Sequence, residues 1–207
     1  MEKLPENFTE ILDKTFSWPN KHDKLIRPEN DFENAVYFSN DPISKHAHLW
    51  DGYMKAAAGL VDLATTEGYE HEKPFVLYPI LFNYRHGLEL AMKWIIVIYG
   101  CESSKKVNQE HNLIRLWCRC KKIIHSYGAP QDNSDMYVEN IIREMDELDK
   151  KGITFRYGWD KNGGHIEVPD SPVDLKNIKD VMEGVNSFFI GLDGLLDSYE
   201  KSTDYNI

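Results

Sequence analysis

The sequence predicts a mainly all-α protein, a bundle of about five helices with one inserted β-hairpin. Apolar residues recur every three or four positions along several long segments, the period of a helix with one buried face. Glycine and proline punctuate the gaps between these segments. One short stretch alternates instead, and an Asn-Gly turn divides it. Of the 207 residues 42% are hydrophobic and 28% charged, ordinary proportions for a globular chain.

Residues 1–43 read as an irregular N-terminal arm, with a short helix over Leu4–Phe16 that Trp18-Pro19-Asn20 ends. The helical domain spans 44–200, and 201–207 form a tail. Asp41-Pro42 starts the first helix, a capping side chain before a first-turn proline. It runs to about Thr65, with Leu49, Tyr53, Ala56, Leu60 and Leu63 as its apolar face, and Gly68 stops it. The second runs from Pro74 to about Tyr99, ends at Gly100, and is apolar almost all round, as a central buried helix is. Pro79 marks a kink or the true start. The third, His111–Ser126, has Leu113, Leu116, Trp117, Cys120, Ile123 and Ile124 in one arc. The fourth, about 132–150, carries Tyr137, Ile141, Met145 and Leu148 on one stripe. The last, about 174–200, has Leu175, Ile178, Met182, Val185, Phe189, Leu192, Leu196 and Tyr199 at helical spacing. The hairpin falls at about 153–168: Ile153–Tyr157 alternates, Asn162-Gly163 turns, and His165–Val168 alternates again.

Several classes are excluded. No basic start and apolar core mark a secretory leader. The longest apolar run, Trp94–Tyr99, is far below the roughly 20 residues of a membrane helix. Three cysteines do not make a disulfide framework, and Cys118-x-Cys120 is not a zinc spacing. His46 and His48, two apart, diverge on a helix. A soluble cytoplasmic protein without metal or cofactor is expected, with Cys120 in the core and Cys101 in a loop.

Charge narrows the search. The formal net charge is -10, against indiscriminate coating of nucleic acid. It is unevenly spread. Residues 85–125 hold eight Lys and Arg against three Glu, a surplus of +5, whereas 1–84 carry -6 and 126–207 carry -9. In the third helix His111, Arg115, Arg119 and Lys122 lie opposite the apolar arc, with His125 at the edge. This is either a docking stripe for phosphates or the solvated face of an amphipathic helix.

Inside the apolar second helix, Arg85, His86, Glu89 and Lys93 follow spacings of three and four. A buried charge must be paired or hydrogen-bonded. The group is therefore either a self-satisfied structural network or a site in which His86 moves a proton and Arg85 holds a phosphate.

Three pieces together resemble a known group: Tyr84-Arg85-His86-Gly87-Leu88-Glu89-Leu90, His111-Asn112-Leu113 through Trp117, and Phe155-Arg156-Tyr157 before a polar turn. They are similar to HEPN-type helical proteins of bacterial toxin–antitoxin and phage-defence systems, over about residues 75–165. The resemblance implies a helical bundle, often a homodimer. Many members cleave RNA without metal through an Arg and a His four to six residues apart, and others only bind. Arg119 and His125 have that spacing, with Cys120 where the group has a polar residue; Arg85 and His86 are adjacent and do not. Six positions place Arg119 and His125 about 120° apart on a helix, so they meet at one phosphate only with a partner subunit's help.

The resemblance thus implies a metal-independent endoribonuclease acting as a dimer, with Arg85, His86, Glu89, His111, Arg119 and His125 as catalytic candidates. Arg115, Lys121, Lys122 and Arg156 would hold the RNA backbone. The alternative is a non-catalytic module that engages a protein partner in a defence system, its acidic surface meeting a basic one.

Overall fold

A computed structural model describes residues 21–28, 31, 33, 35–128, 133–149, 152–157, 163–164 and 172–204. The chain divides into two compact units, residues 1–38 and 39–207. In the first, the described residues form turns, bends and irregular chain, with no helix or strand among them. The helix expected over Leu4–Phe16 lies outside the described residues.

The second unit holds six α-helices among its described residues: α1 Pro42–Thr65, α2 Lys73–Ile98, α3 Ser104–Val107, α4 Leu113–Ser126, α5 Ser134–Leu148 and α6 Leu175–Asp204. A 3₁₀ turn, Glu70–Glu72, joins α1 to α2. The five long helices are the five expected; α3 and the 3₁₀ turn are too short for periodicity to reveal. Helix α6 runs on into the residues assigned to the tail. None of these helices is long and apolar enough to cross a membrane.

Local chemistry sets the ends. Asp41 caps α1 by accepting a 2.7 Å hydrogen bond from the Ser44 amide, with Pro42 in the first turn. Helix α2 passes through Pro79 without ending. It ends at Ile98 with Tyr99 as its cap, and at the following Gly100 a Cβ would lie 2.5 Å from the Ile96 carbonyl oxygen and 2.7 Å from Ile123 Cδ1. Cys101 follows in the left-handed region, at φ 50°.

Helix α2 is the hub, packed against α1, α4 and α6. Ile80, Leu88, Ala91, Met92, Ile95 and Ile96 are wholly buried on it. Polar clasps fix its neighbours. Trp50 of α1 donates to Asn186 of α6 at 2.9 Å, and Trp94 and Tyr99 both donate to Asp193 of α6 at 2.6 Å. Trp117 of α4 donates to Glu139 of α5 at 3.1 Å.

The apolar arc expected on α4 is buried in full, and the stripe expected on α6 is buried apart from the partly covered Ile178 and Tyr199. Two stripes are turned by about one residue. On α1 the buried set is Trp50, Met54, Ala57, Val61 and Ala64, while Leu49 and Leu63 are 41% and 42% exposed. The cause is a close approach at Gly87, whose missing Cβ leaves room for the Met54 side chain, 3.1 Å from where that Cβ would stand. Helix α1 must turn Met54 inward to seat there. On α5 the buried face is Val138, Ile142 and Met145, and Tyr137 is exposed.

The hairpin does not form where it can be observed. Ile153–Tyr157 is a turn, with the amides of Arg156 and Tyr157 both donating to the Ile153 carbonyl at 3.1 Å. Phe155 points into the core. Alternation over five residues does not separate a strand from a turn, and here only Phe155 is buried while Tyr157 is 59% exposed. The expected second strand, 165–168, lies outside the described residues.

Two neighbours on α6 check this packing. Phe189 is fully buried and Ile190 is 56% exposed. Phe189→Ala should lower unfolding free energy by about 3–5 kcal/mol. Ile190→Ala should stay within about 0.5 kcal/mol. Urea denaturation of both variants reads the difference.

Candidate functional site

Helix α2 carries Arg85, Glu89 and Lys93 on one side, each four residues from the next and each no more than 3% exposed. Arg85 Nη1 donates to Glu89 Oε2 at 3.0 Å, and Lys93 Nζ donates to Glu89 Oε1 at 2.8 Å. The remaining partners come from two chain ends packed against this face.

The first is the connection before α4. Glu110 Oε1 accepts from the amides of His111 and Asn112, and Asn112 Oδ1 caps α4 by accepting from the Arg115 amide at 2.8 Å. Within that connection the His111 carbonyl accepts from Arg85 Nη2 at 2.9 Å, and the Asn108 carbonyl accepts from Lys93 Nζ at 3.3 Å. His111 Nδ1 lies 3.0 Å from Glu89 Oε1.

The second is the end of α5. Asp149 is fully buried. Its carbonyl accepts from Arg85 Nε at 3.2 Å, and its Oδ2 lies 3.3 Å from the same nitrogen. Asp149 Oδ1 accepts from the amides of Ile153 and Thr154 at 2.8 and 3.0 Å. One carboxylate thus pairs with the guanidinium and folds the following turn. Gly152, within that turn, has φ 66°, and a Cβ there would stand 3.0 Å from Arg85 Nη1. Backbone conformation and contact both demand glycine.

Two cations and two carboxylates are buried together, and backbone carbonyls complete the cations' bonding. Burial pushes the Glu89 carboxyl toward protonation. The bond from Lys93 and its charge, with His111 and Arg85 behind them, outweigh burial and hold the carboxyl below its usual range. All three kinds of guanidinium nitrogen on Arg85 donate to protein oxygens. A phosphate would have to displace buried partners to reach them. His111 is the member at the surface, its side chain 61% exposed.

The structure therefore joins three expected residues, Arg85, Glu89 and His111. It separates His86 from them. His86 packs edge-on to Tyr53, ring centroids 4.5 Å apart, and stacks on Phe82 at 5.7 Å. Burial is the main cause that lowers its pKa, with Lys93, Arg85 and Arg156 adding to it and Glu89 opposing. Arg119 is gripped by both carboxylate oxygens of Glu102 at 3.1 and 2.8 Å, and His125 sits exposed in the last turn of α4.

The basic stripe is substantially paired. Arg115 lies 3.6 Å from Glu110, and Lys121 binds Glu139, which Arg143 also holds. The Lys121 bond leads the causes that depress the Glu139 carboxyl to about 2. Lys122 is exposed. Arg156 is elsewhere, its guanidinium 5.8 Å from the Phe82 ring and 5.6 Å from the Tyr157 ring.

Sequence reasoning missed Asp149 and Gly152. Their signal is an aspartate at a helix end with glycine three residues on, a turn signature. It also missed a groove. Leu77 and Leu81 of α2, Met145 of α5, Phe155, Val173 and Ile178 of α6 line a cavity of about 430 Å³ that includes the exposed carboxylates of Glu144 and Asp174. No group of three or more metal-ligating side chains is placed to hold an ion among the described residues. The chain matches no family model, no curated protein and no solved structure.

Two measurements check the network. Gly128→Ala, with positive φ but open space at its Cβ, should cost about 1–3 kcal/mol for the left-handed conformation alone; Gly152→Ala should cost more, the excess coming from the contact with Arg85, and urea denaturation of both variants reads it. The acid limb of stability is the second. Glu89 has a folded-state pKa below its unfolded value of 4.5. Its contribution is full above that value and is lost as pH falls through the folded one. Glu89→Gln should lower stability at neutral pH and flatten its decline below pH 4.5, read by denaturant titrations across pH.

Proposed function

We propose that the protein is a non-catalytic, HEPN-like binding module that engages a protein partner in a defence or toxin–antitoxin setting. One observation carries this reading: the buried charges of the α2 cluster neutralise one another. Catalysis on RNA requires a cation free to meet developing phosphate charge and a proton-transfer group beside it. Here Arg85 is spent on Glu89, Asp149 and the His111 carbonyl, and Arg119 on Glu102. His86 lies among aromatic rings. Two of the segments that carry the HEPN resemblance, Tyr84–Leu90 and His111–Trp117, meet through the bond from Arg85 to the His111 carbonyl.

The groove between α2, α5 and α6 is the surface this module offers. Its walls are apolar and Glu144 and Asp174 are acidic, in the segment of the chain with a charge of -9. The complementary occupant is an amphipathic basic segment of a partner protein. The cluster contributes indirectly, since Asp149 folds the turn that delivers Phe155 to the groove wall.

RNA incubated with the protein in EDTA should remain intact, equally so with wild type, His86→Ala and His125→Ala. Cleavage by wild type that either substitution abolishes would overturn the reading. For the groove, a helical peptide with one apolar face flanked by lysines should bind at least tenfold more tightly than the same peptide with glutamates, and Glu144→Lys should erase the preference. Fluorescence anisotropy reads both; equal affinity for the two peptides would contradict a basic partner.

A further inference from the structure

We propose that the partner segment is a single helix of about four turns, laid lengthwise between α5 and α6, with its basic residues gathered at one end. This rests on the binding function proposed above and extends its site from the groove to the whole length of α5. A second cavity, of about 270 Å³, lies between α5 and α6, lined among others by Tyr137, Val138, Val185 and Phe188. Ile141 and Val181 line both cavities, which makes them two parts of one furrow. Leu148 and Asp174 lie in the groove part, and Ser134 and Phe188 in the second, so the two helices flank the furrow antiparallel. Helix α5 has 15 residues, which gives the furrow a length of about 21 Å.

Backbone chemistry selects a helix as the occupant. The amides and carbonyls of α5 and α6 are bonded within each helix. An extended segment laid between them would meet no sheet edge and would bury its own amides and carbonyls unpaired. A helix bonds these groups internally and needs only an apolar stripe, which the half-buried Ile141, Val181 and Phe188 would meet. Charge sets what each end of that helix must carry. The exposed carboxylates of Glu144 and Asp174 lie in the groove, although Asp174 Oδ1 also accepts from the Lys176 and Asn177 amides at the start of α6. No residue that lines the second cavity is charged. Lysines therefore suit the groove end, and large apolar side chains the other. Gly184 lines the second cavity, and no atom of the described residues comes within 4 Å of where its Cβ would stand. A side chain there would enter the furrow without disturbing the fold, and leucine favours a helix over glycine.

Four helical peptides held by lactam bridges, with one apolar stripe in common, test the proposal by fluorescence anisotropy. Three have about 15 residues, the length of α5: one with its lysines in the first turn, one with them in the last, and one with the same number spread evenly. The fourth is about half as long, two turns from the lysine end of the tighter-binding end-loaded peptide. That end-loaded peptide should bind at least tenfold more tightly than the short one, and more tightly than the evenly loaded one. Gly184→Leu should weaken the long peptide at least tenfold, leave the short one unchanged, and not lower the Tm of the free protein. Binding of the short peptide as tight as that of the long, or a long peptide indifferent to Gly184→Leu, would overturn the four-turn helix and leave the groove reading standing. An evenly loaded peptide that binds as tightly as the end-loaded ones would overturn the charge placement. No binding by any of the four would overturn the groove reading and this proposal together.

Discussion

The buried guanidinium of Arg85 is the constraint on which the rest of the domain depends. It sits in the middle of the most buried helix, and isolating such a charge from water costs several kcal/mol unless partners surround it. The partners come from three separate places: Glu89 one turn along α2, the His111 carbonyl at the start of α4, and Asp149 at the end of α5. One side chain therefore fixes where α4 begins, where α5 ends and how the chain turns afterwards. Apolar packing attracts these helices without specifying their ends; the guanidinium supplies directional demands that only one arrangement meets.

This arrangement also bears on function. A pair of cations in a helical bundle can be a phosphate site or a structural joint, and what separates the two is whether the charge is already spent. Glu89 bonds Arg85, Lys93 and His111 together, and Asp149 supplies the second carboxylate, so the charges of Arg85, Lys93, Glu89 and Asp149 balance. Outside the cluster lie an apolar groove with acidic members and, on α1, the exposed side chains of Leu49 and Leu63.

Much of the fold was legible in the sequence where one physical rule acted alone. Helix α4 has a single apolar arc, and α6 a single long stripe, so each can be buried in only one way. Helix α1 has two adjacent apolar stripes of equal period. Periodicity alone cannot choose between Leu49–Leu63 and Trp50–Ala64, because the choice is made by the seat that Gly87 leaves for Met54 on another helix. Ile153–Tyr157 misled for a similar reason: its alternation is real, but the Asp149 carboxylate takes the amides of Ile153 and Thr154 into a turn. Of the site, the i, i+4 ladder of Arg85, Glu89 and Lys93 was visible as a polar line in an apolar helix. Asp149, 64 residues from Arg85, was not, since nothing local marks it as a partner.

The central claim is that the buried charges of Arg85 and its carboxylates form one neutral structural unit. A double-mutant cycle with Arg85→Met and Asp149→Asn, measured by urea denaturation at pH 7, tests it most directly. Each single variant leaves an uncompensated buried charge and should lose about 3–5 kcal/mol. The double variant removes both charges, leaves Glu89 paired with Lys93, and should lose far less than the sum of the two. Single losses that simply add, or that fall within about 0.5 kcal/mol of wild type, would contradict the account.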